Sequence, residues 1–334
     1  MIKQFLDNRL RGSELSGDNH LSAFCPFHSG GTERHRSFSV NLDTGLWCCY
    51  ACHESGGIHK LLKMLGCPPS VTTSIQENVQ DTRRKYAKKA NLAPVKDEDT
   101  VLEEPLLGVY DYCPNVLVEK GFDPSLLKAF EVGFDRKRFR ITYPIRSMDG
   151  ELIGVSGRRI LEDELEYFEK YKLYTSEIDE DANLKKPYRR PTLKGTLWNG
   201  HRVRLAQASK TYSFVIVVEG FNALLRAVEY GYPNTVATFN AHISANSGKV
   251  RRIAQQDLIV EFSVPAILFY DNDPAGIDGT MRSGTRLSRV LPVLVARYPK
   301  CKEGTQPDDL SRNEFYEAVQ KAEHFTDWRK HNAV

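Results

Sequence analysis

Two short Cys/His pairs near the N-terminus constrain the fold of this chain more than any other feature. Cys25 and His28 form the first pair, Cys49 and Cys52 form the second, and two residues separate the members of each pair. This spacing lets one tight turn direct two donor atoms at the same ion, so the set predicts a tetrahedral Zn²⁺ site. Because four protein ligands leave no open coordination position, the zinc would be structural.

The segment between the two pairs predicts a β-hairpin. Residues 37–42 alternate as in a strand, 43–45 form a turn, and 46–48 return as a second strand. Each ligand pair would therefore lie at the end of a hairpin arm, as in a zinc ribbon. Cys48 would point to the opposite face from Cys49, so it is left out of the site. Three histidines are possible substitute ligands: His20, His35 and His53. The other cysteines are predicted to be small apolar residues: Cys67, Cys113 and Cys301.

Carboxylates follow two strongly apolar segments in the C-terminal half. Residues 214–218 and 265–270 are predicted strands buried on both faces, followed by Glu219 and by Asp271 and Asp273. Since adjacent parallel strands end at the same edge of an α/β sheet, these carboxylates are expected to converge. A cation would relieve their repulsion, and oxygen ligands select Mg²⁺ or Mn²⁺. A helix cap is the alternative for a single Asp-x-Asp, but the combination favours phosphoryl transfer.

A predicted hairpin in the middle of the chain carries many cations. Its strands, 140–145 and 151–158, flank an Asp-Gly turn at 149–150. These cations predict either a phosphate-binding surface or a solvated strand face, and both interpretations remain open. Seven basic residues lie in or beside the hairpin: Arg136, Lys137, Arg138, Arg140, Arg146, Arg158 and Arg159.

Composition limits the class of protein. Lys and Arg total 46 and Asp and Glu total 43, a net charge of +3, which excludes a uniformly basic nucleic-acid-coating protein but permits a local basic patch. The longest apolar runs are far shorter than the ~20 residues that span a bilayer. The first residues lack the apolar core of a signal peptide. We therefore expect a cytoplasmic protein with no membrane partner.

The motifs together resemble those of the DnaG-type DNA primases of bacteria and phages. The resemblance implies an α/β (α+β) multidomain protein with an N-terminal zinc ribbon, a linker, and a primase polymerase domain that contains a Toprim α/β fold. It rests on the two Cys/His pairs, Gly56–Gly57, the arginines of the basic hairpin, 194–200, Glu219–Gly220 and Asp271–Asp273. The expected divisions are 1–69 (zinc-binding domain), 70–105 (linker), 106–210 (basic subdomain), 211–312 (Toprim subdomain) and 313–334 (C-terminal helix and tail).

The resemblance also implies roles for individual residues. Glu219, Asp271 and Asp273 would hold Mg²⁺ or Mn²⁺, and Asp308, in an acidic turn like that of the family, would complete the catalytic set. The residues expected to line the path of template and nucleotides are Arg138, Arg140, Arg158, Lys170 and Lys194, and a second Lys/Tyr element at 186–188 competes with the one at 170–171. Phe38 and Trp47 would either stack on template bases or pack around the zinc.

Two positions depart from the family pattern. Ala223 stands where the family has an aspartate four residues after the glutamate, and Gln306 stands where it has an aspartate before the proline of the last motif. Both changes remove negative charge, so we expect weaker metal affinity and a preference for Mn²⁺.

The function implied is that of a DNA primase, a DNA-directed RNA polymerase that makes short RNA primers by metal-dependent nucleotidyl transfer. Its partners would be single-stranded DNA, ribonucleoside triphosphates and a replicative helicase, at the replication fork of a bacterial cell or a phage-infected host. The length suggests a compact phage or plasmid enzyme. The alternatives are a weakened or inactive replication factor that binds single-stranded DNA, and a Toprim nuclease.

Overall fold

The computed structural model describes most of the chain outside the predicted linker. It covers residues 2–16, 20–28, 33, 35–42, 45–49, 51–52, 54–67, 100–160, 170–182, 188–245, 253–299 and 303–332. Residues 70–99 of the expected linker, His53, the 186–187 part of the competing Lys/Tyr element and Cys301 lie outside it. Three β-sheets form within the described residues.

The N-terminal module, described residues 2–67, is built on an antiparallel sheet whose strands follow chain order. The predicted hairpin is confirmed, with Phe38 opposite Cys49 and Val40 opposite Trp47. Its elements are α1 (Ile2–Asp7), β1 (Glu14–Ser16), β2 (His20–Ala23), β3 (Phe38–Asn41), β4 (Trp47–Cys49), β5 (Ser55–Gly56) and α2 (Ile58–Met64).

The middle of the chain forms a four-stranded antiparallel sheet, here called the basic sheet. The predicted basic hairpin is confirmed as its two longest strands, which pair directly. Asp123 caps a short helix before the sheet by accepting the backbone N–H of Ser125 at 2.7 Å. The elements are a 3₁₀ turn (Glu104–Tyr110), α3 (Asn115–Glu119), α4 (Pro124–Ala129), β6 (Gly133–Asp135), β7 (Arg140–Arg146), β8 (Leu152–Arg159), β9 (Tyr171–Leu173) and α5 (Ser176–Ala182).

The C-terminal half forms a mixed sheet in which the first four strands are parallel and the last is antiparallel, in the order β11-β10-β12-β13-β14. Its central strands are buried along their whole length because helices cover both faces. The elements are a 3₁₀ turn (Leu193–Gly195), α6 (Gly200–Ala208), β10 (Val215–Val218), α7 (Phe221–Glu229), β11 (Thr235–Ala237), α8 (Gln255–Glu261), β12 (Ala266–Leu268), α9 (Pro274–Leu287), β13 (Val293–Val295), a 3₁₀ turn (Pro307–Asp309), α10 (Arg312–Gln320), β14 (Glu323–His324) and α11 (Phe325–Asn332).

The N-terminal module packs against the C-terminal sheet. Ser39 of β3 lies with its hydroxyl 3.2 Å from Nε2 of His324, in β14, and both residues are buried. A cavity of about 50 Å³ lies beside this contact, lined on one side by Cys48 and on the other by Phe214 and Pro265. Because Phe214 and Pro265 immediately precede β10 and β12, the module meets the amino ends of these strands.

Of the helices that the structure describes, none combines the length and the apolar character that crossing a bilayer requires.

Candidate metal centres

The four residues of the two Cys/His pairs come together as their spacing predicts. One donor atom from each of Cys25, His28, Cys49 and Cys52 lies within 4.8 Å of the others. The sulfurs of Cys25 and Cys52 are 3.9 Å apart, and the Cys49 sulfur is 3.6 Å from Nδ1 of His28. Ligands at ~2.3 Å around a tetrahedral zinc ion have separations of this size. We call this set the Cys/His site; it contains neither Cys48 nor, among the described histidines, His20 or His35.

The surroundings of the Cys/His site favour a bound cation. Backbone N–H groups of Phe27 and Cys52 point at the sulfurs of Cys25 and Cys49, each at 3.4 Å, and so favour negative charge there. Burial, reinforced by the neighbouring Cys49, nevertheless raises the pKa of the Cys25 thiol to about 12. A positive ion offsets that cost, since thiolates are the form that binds metal. Three sulfurs and one imidazole nitrogen are a donor set that fits Zn²⁺.

The two aromatic residues of the predicted hairpin belong to the core of the module. Phe38 and Trp47 are each 1% exposed, and their ring centroids lie 5.4 Å apart. Phe27 packs on both rings, and the indole N–H of Trp47 donates to the carbonyl of Gly57 at 3.0 Å. In this conformation neither ring has a face available for a nucleic-acid base. Of the two interpretations left open by the sequence, core packing is therefore the one that the structure has.

The carboxylates predicted at the ends of apolar strands do lie at one edge of the C-terminal sheet. Glu219 directly follows β10, and its Oε1 accepts the backbone N–H of Asp271, which follows β12, at 3.1 Å. Asp273 caps α9, because its Oδ1 accepts the N–H of Gly276 at 2.7 Å. The helix-cap interpretation thus holds for one oxygen of Asp273, while the other oxygen is not used by the cap. We call Glu219, Asp271, Asp273 and Asp308 the acid edge.

Glycine has a steric role at the start of α9. A Cβ added to Gly276 would lie 2.0 Å from the carbonyl oxygen of Asp271, so only glycine lets the helix begin this close to the strand end. Gly220, by contrast, has extended backbone with φ −126° and open space around its Cα. The sharp turn after Glu219 therefore does not depend on glycine.

Backbone hydrogen bonds bring Asp308 to the acid edge, and no local sequence pattern predicts them. The N–H of Asn272 donates to the carbonyl of Thr305 at 2.9 Å, and the N–H of Gly304 donates to the carbonyl of Asn272 at 2.7 Å. These bonds hold the 3₁₀ turn that carries Asp308 beside the end of β12. The negative charge of Asp308 raises the pKa of Asp271, which places the two carboxyl groups in the same electrostatic field.

Electrostatic crowding at the acid edge is severe. Burial, then repulsion from Glu219, Asp308 and Asp273, raises the pKa of Asp271 to about 7. Burial also raises the pKa of Glu219 and of Asp308. A divalent cation would relieve this repulsion, and oxygen donors fit Mg²⁺ or Mn²⁺. Among the described residues, however, the Cys/His site is the one group of donors already close enough to hold an ion as it stands.

Two of the predicted basic residues face the acid edge. Although burial opposes its charge, the nearby Tyr171 and Tyr143 hydroxyls and the Asp308 carboxylate raise the pKa of Arg158. Its guanidinium lies 5.6 Å from the centre of the Tyr171 ring. Lys170 is exposed, and its charge partly offsets the raised pKa of Asp271. Lys194 is also exposed, but its carbonyl accepts the Ser244 hydroxyl at 2.6 Å in a different part of the structure.

Arg138 and Arg140 lie in or beside the hairpin predicted to be either a phosphate-binding surface or a solvated strand face, and in the structure both donate to other groups of the chain. Arg138 donates to Asp135, Glu180 and Asp181 at 3.0, 2.8 and 2.7 Å. Arg140 is buried, and its guanidinium donates to the carbonyl of Gly157 at 2.9 Å. Arg138 is engaged because the fold brings the acidic residues Glu180 and Asp181 of α5 against the hairpin, whereas the partner of Arg140 is a carbonyl of the neighbouring strand β8. The hairpin sequence does not reveal the contacts with α5.

Three polar residues next to the candidate centres were not predicted. Tyr143 donates its hydroxyl to Asn222 at 3.0 Å, within a turn of the position of Ala223. Glu33 lies against the Cys/His site, where its carboxylate contacts His28. No sequence signal singled out Tyr143 and Asn222, and a lone glutamate in a loop has no sequence signature either.

The fold and the two centres define a class of protein: a Cys/His zinc-binding module joined to an antiparallel basic sheet and a parallel sheet with acidic strand ends. The family model for the CHC2 zinc finger matches residues 2–91. This match supports a Cys/His zinc-binding site in the N-terminal module.

The particular relatives are DNA primases. The crystal structure of the Aquifex aeolicus primase (zinc binding and RNA polymerase domains) aligns with a TM-score of 0.50 and 19% identity, over 96% of this chain and 83% of that one. The curated DNA primases of Staphylococcus epidermidis (strain ATCC 12228) and Staphylococcus aureus (strain MW2) are each 23% identical, over 90% and 89% of this chain. The chain spans about half the length of these two relatives, 54% and 53%. The resemblance to DnaG-type primases and the predicted multidomain α/β fold are thereby confirmed.

Proposed function

We propose that this chain is a DNA primase, a DNA-directed RNA polymerase that makes short RNA primers on single-stranded DNA from ribonucleoside triphosphates. The observation that carries the proposal is that Arg158, from the basic sheet, interacts electrostatically with Asp308, whose charge also acts on Asp271 at the acid edge. Cations that bind phosphates and carboxylates that bind metal are the two groups of residues that nucleotidyl transfer requires in one place.

The acid edge would hold one or two Mg²⁺ or Mn²⁺ ions through Glu219, Asp271 and Asp273, with Asp308 beside them. When bound, such ions lower the pKa of an attacking hydroxyl and neutralise a leaving pyrophosphate. The raised pKa of Asp271, near 7, supports this assignment because the carboxylates are otherwise held at an electrostatic cost. Ala223 and Gln306 remove two further carboxylates, so the affinity should be weak and should favour Mn²⁺.

The residues of the basic sheet would orient the phosphates. Arg158 is held in place by Tyr143 and Tyr171, and it presents a charge that stays positive at any working pH. Lys170 adds an exposed cation whose charge acts on Asp271. Lys194 lies further away, where it would contact the template backbone. Arg138 and Arg140 would act indirectly, because they stabilise the sheet that carries Arg158.

We further propose the division of work among the parts of the chain. The N-terminal module (1–69) would hold a structural zinc through the Cys/His site and help select the template start. The basic subdomain (106–210) and the Toprim subdomain (211–312) would form the polymerase, with 70–105 as linker and 313–334 as closing helix and tail. A replicative helicase would bring the protein to the replication fork.

A primer-synthesis assay tests the proposal. The purified chain is incubated with single-stranded DNA, labelled ribonucleotides and either Mg²⁺ or Mn²⁺. Short RNA products are expected, with more product in Mn²⁺, and Asp271→Ala should abolish them. The matched control is Asp278→Asn in α9, because Asp278 is an exposed aspartate that pairs with Arg282 at 2.8 Å away from the acid edge. This control should leave the yield unchanged.

The same assay separates the alternative functions. Cleavage of the DNA in place of RNA synthesis would identify a Toprim nuclease. Binding of the single strand with neither product would identify a replication factor without catalytic activity. Either result would refute the primase proposal.

A further inference from the structure

We propose that Glu33 positions His28 for metal binding and thereby sets the zinc affinity of the N-terminal module. This inference rests on the zinc-binding role of the Cys/His site and adds to it a residue outside the ligand set. It predicts that a carboxylate with no direct bond to the ion controls how firmly the ion is held.

The contact between Glu33 and His28 involves the ring nitrogen that faces away from the site. Oε2 of Glu33 lies 3.2 Å from Nε2 of His28, whereas Nδ1 of the same ring lies 3.6 Å from the Cys49 sulfur. A carboxylate can only accept, so Nε2 carries the proton and Nδ1 presents its lone pair to the ion. Glu33 therefore selects the one tautomer that can bind metal in this ring orientation.

The contact is protected from water. The side chains of Glu33 and His28 are 13% and 24% exposed. A hydrogen bond to a charged acceptor is strengthened when water is partly excluded, so this pair is worth more than an exposed ion pair. Carboxylate–histidine–zinc arrangements of this kind fix the ring and make the bound nitrogen a better donor.

Glu33 is itself held by two further groups of the site. Its Oε1 accepts the backbone N–H of Cys25, and its Oε2 accepts the hydroxyl of Ser37 at 2.6 Å. The same Ser37 oxygen lies 3.3 Å from the sulfur of Cys49. The carboxylate thus connects the first ligand pair to the second through hydrogen bonds, and its loss would loosen both pairs at once.

The test compares zinc affinities of full-length variants. Zinc is titrated against a chromophoric chelator in the wild type, Glu33→Ala and Glu33→Gln. Glu33→Ala should weaken zinc binding by about 10- to 100-fold. Glu33→Gln should lose less, because one amide oxygen still accepts a hydrogen bond. The control is Glu14→Gln, because Glu14 is a more exposed glutamate of the same module that pairs with Arg36 at 2.5 Å. The zinc affinity of this variant should match that of the wild type.

A second readout distinguishes positioning from general destabilisation. In the zinc-loaded wild type, nitrogen NMR of His28 should show a metal-bound Nδ1 and a protonated Nε2 whose hydrogen exchanges slowly. In Glu33→Gln, which keeps the shape of the side chain, that exchange should be faster while the backbone amides of β3 keep their protection.

Three results would overturn the inference. If the wild type and Glu33→Ala bind stoichiometric zinc with the same affinity, Glu33 has no role in zinc binding, although the Cys/His site itself stands. A His28 that binds the ion through Nε2 would also overturn the inference. A wild-type chain that binds no zinc would refute the Cys/His site itself and this inference with it.

Discussion

In the Cys/His site, four donor atoms already lie within 4.8 Å of one another, whereas the carboxylates of the acid edge stay further apart and repel each other through the protein. Backbone N–H groups point at the sulfurs of the first centre, and its imidazole is oriented by a carboxylate. The second centre has one cap hydrogen bond on Asp273, one backbone contact on Glu219, and two cations at its border.

The difference follows from what completes each coordination sphere. A structural ion is surrounded by protein ligands alone, so the fold must bring all of them together. A catalytic ion keeps positions for phosphate oxygens and water, so its protein ligands are fewer and more open. The first centre therefore contributes stability once the ion binds, while the second costs stability until an ion or substrate arrives.

The largest expected effect tests the first half of this comparison. Cys49→Ser should reduce the zinc content from about one ion per chain to near zero, and the N-terminal module should become sensitive to protease. The physical reason is that structural zinc contributes roughly 10–16 kcal/mol of binding free energy to small modules. Metal analysis and limited proteolysis measure both. The control is Cys113→Ser, at an exposed cysteine, and its zinc content should equal that of the wild type. A normal zinc content in Cys49→Ser would contradict the role of the first centre as a structural zinc site.

A smaller effect is expected from the core around the Cys/His site. Phe38→Ala should lower the free energy of unfolding of the N-terminal module by about 3–5 kcal/mol, because it leaves a cavity beside Trp47. Urea unfolding followed by tryptophan fluorescence measures this. Phe139→Ala, at a ring that is 60% exposed, should cost under about 1 kcal/mol. Loss of single-strand binding by Phe38→Ala at unchanged stability would instead support base stacking.

At the acid edge we expect a substitution to stabilise the protein. Asp271 has its folded pKa raised from 3.8 to about 7, so the folded state binds the extra proton between these values. Stability therefore falls as pH rises through that range, and the full cost is present above pH ~7. With metal chelated at pH 8, Asp271→Asn should raise the free energy of unfolding by roughly 2–3 kcal/mol.

The gain from Asp271→Asn should shrink at pH 5, since the wild-type carboxyl is then protonated. Urea titrations at the two pH values measure it, with Asp278→Asn as the neutral control. An equal loss of stability at both values would show that Asp271 is not held at an electrostatic cost.

The contact between the N-terminal module and the C-terminal sheet should lose stability as the pH falls, which is the opposite of the pH dependence expected for Asp271. Burial lowers the pKa of His20 to about 3 and of His324 to about 4, and their rings lie 6.0 Å apart. Both must stay neutral in the folded state, so their contribution is complete above pH ~6.5 and is lost as pH falls towards 4. Between pH 7.5 and 5.5 the packing of the N-terminal module should weaken by about 1 kcal/mol per histidine.

The variant His324→Gln should reduce this pH dependence, because only His20 then takes up a proton. Urea unfolding followed by Trp47 fluorescence, at both pH values, is the measurement. A wild-type module whose stability rises on acidification would contradict the assignment.

Much of this structure was predictable from local patterns. Spacing alone identified Cys25, His28, Cys49 and Cys52, since tight turns fix the relative positions of residues three apart. Alternation and an Asp-Gly turn identified the β7–β8 hairpin, and apolar runs identified β10 and β12. The order of acids after these strands predicted their common edge, because parallel strands end together.

Other features depend on contacts between distant segments. No pattern around Arg138 shows that Asp181, 43 residues later, will pair with it, and the sequence near Phe38 does not show which side of the ring is covered. The contact of Ser39 with His324 joins residues 285 positions apart. In each case the deciding interaction is a long-range one, made only after the sheets have formed and packed.

The sequence by itself determined the members of the Cys/His site and the carboxylates that follow β10 and β12, because metal-ligand spacing and hydrophobic periodicity are local properties of a chain. Only the tertiary structure decided which groups pair with Arg138 and Arg140, that Phe38 and Trp47 are core residues, that Glu33 orients His28, and that the N-terminal module packs at the end of the sheet away from the acids. Burial and pairing of charges depend on what the rest of the fold places next to each side chain.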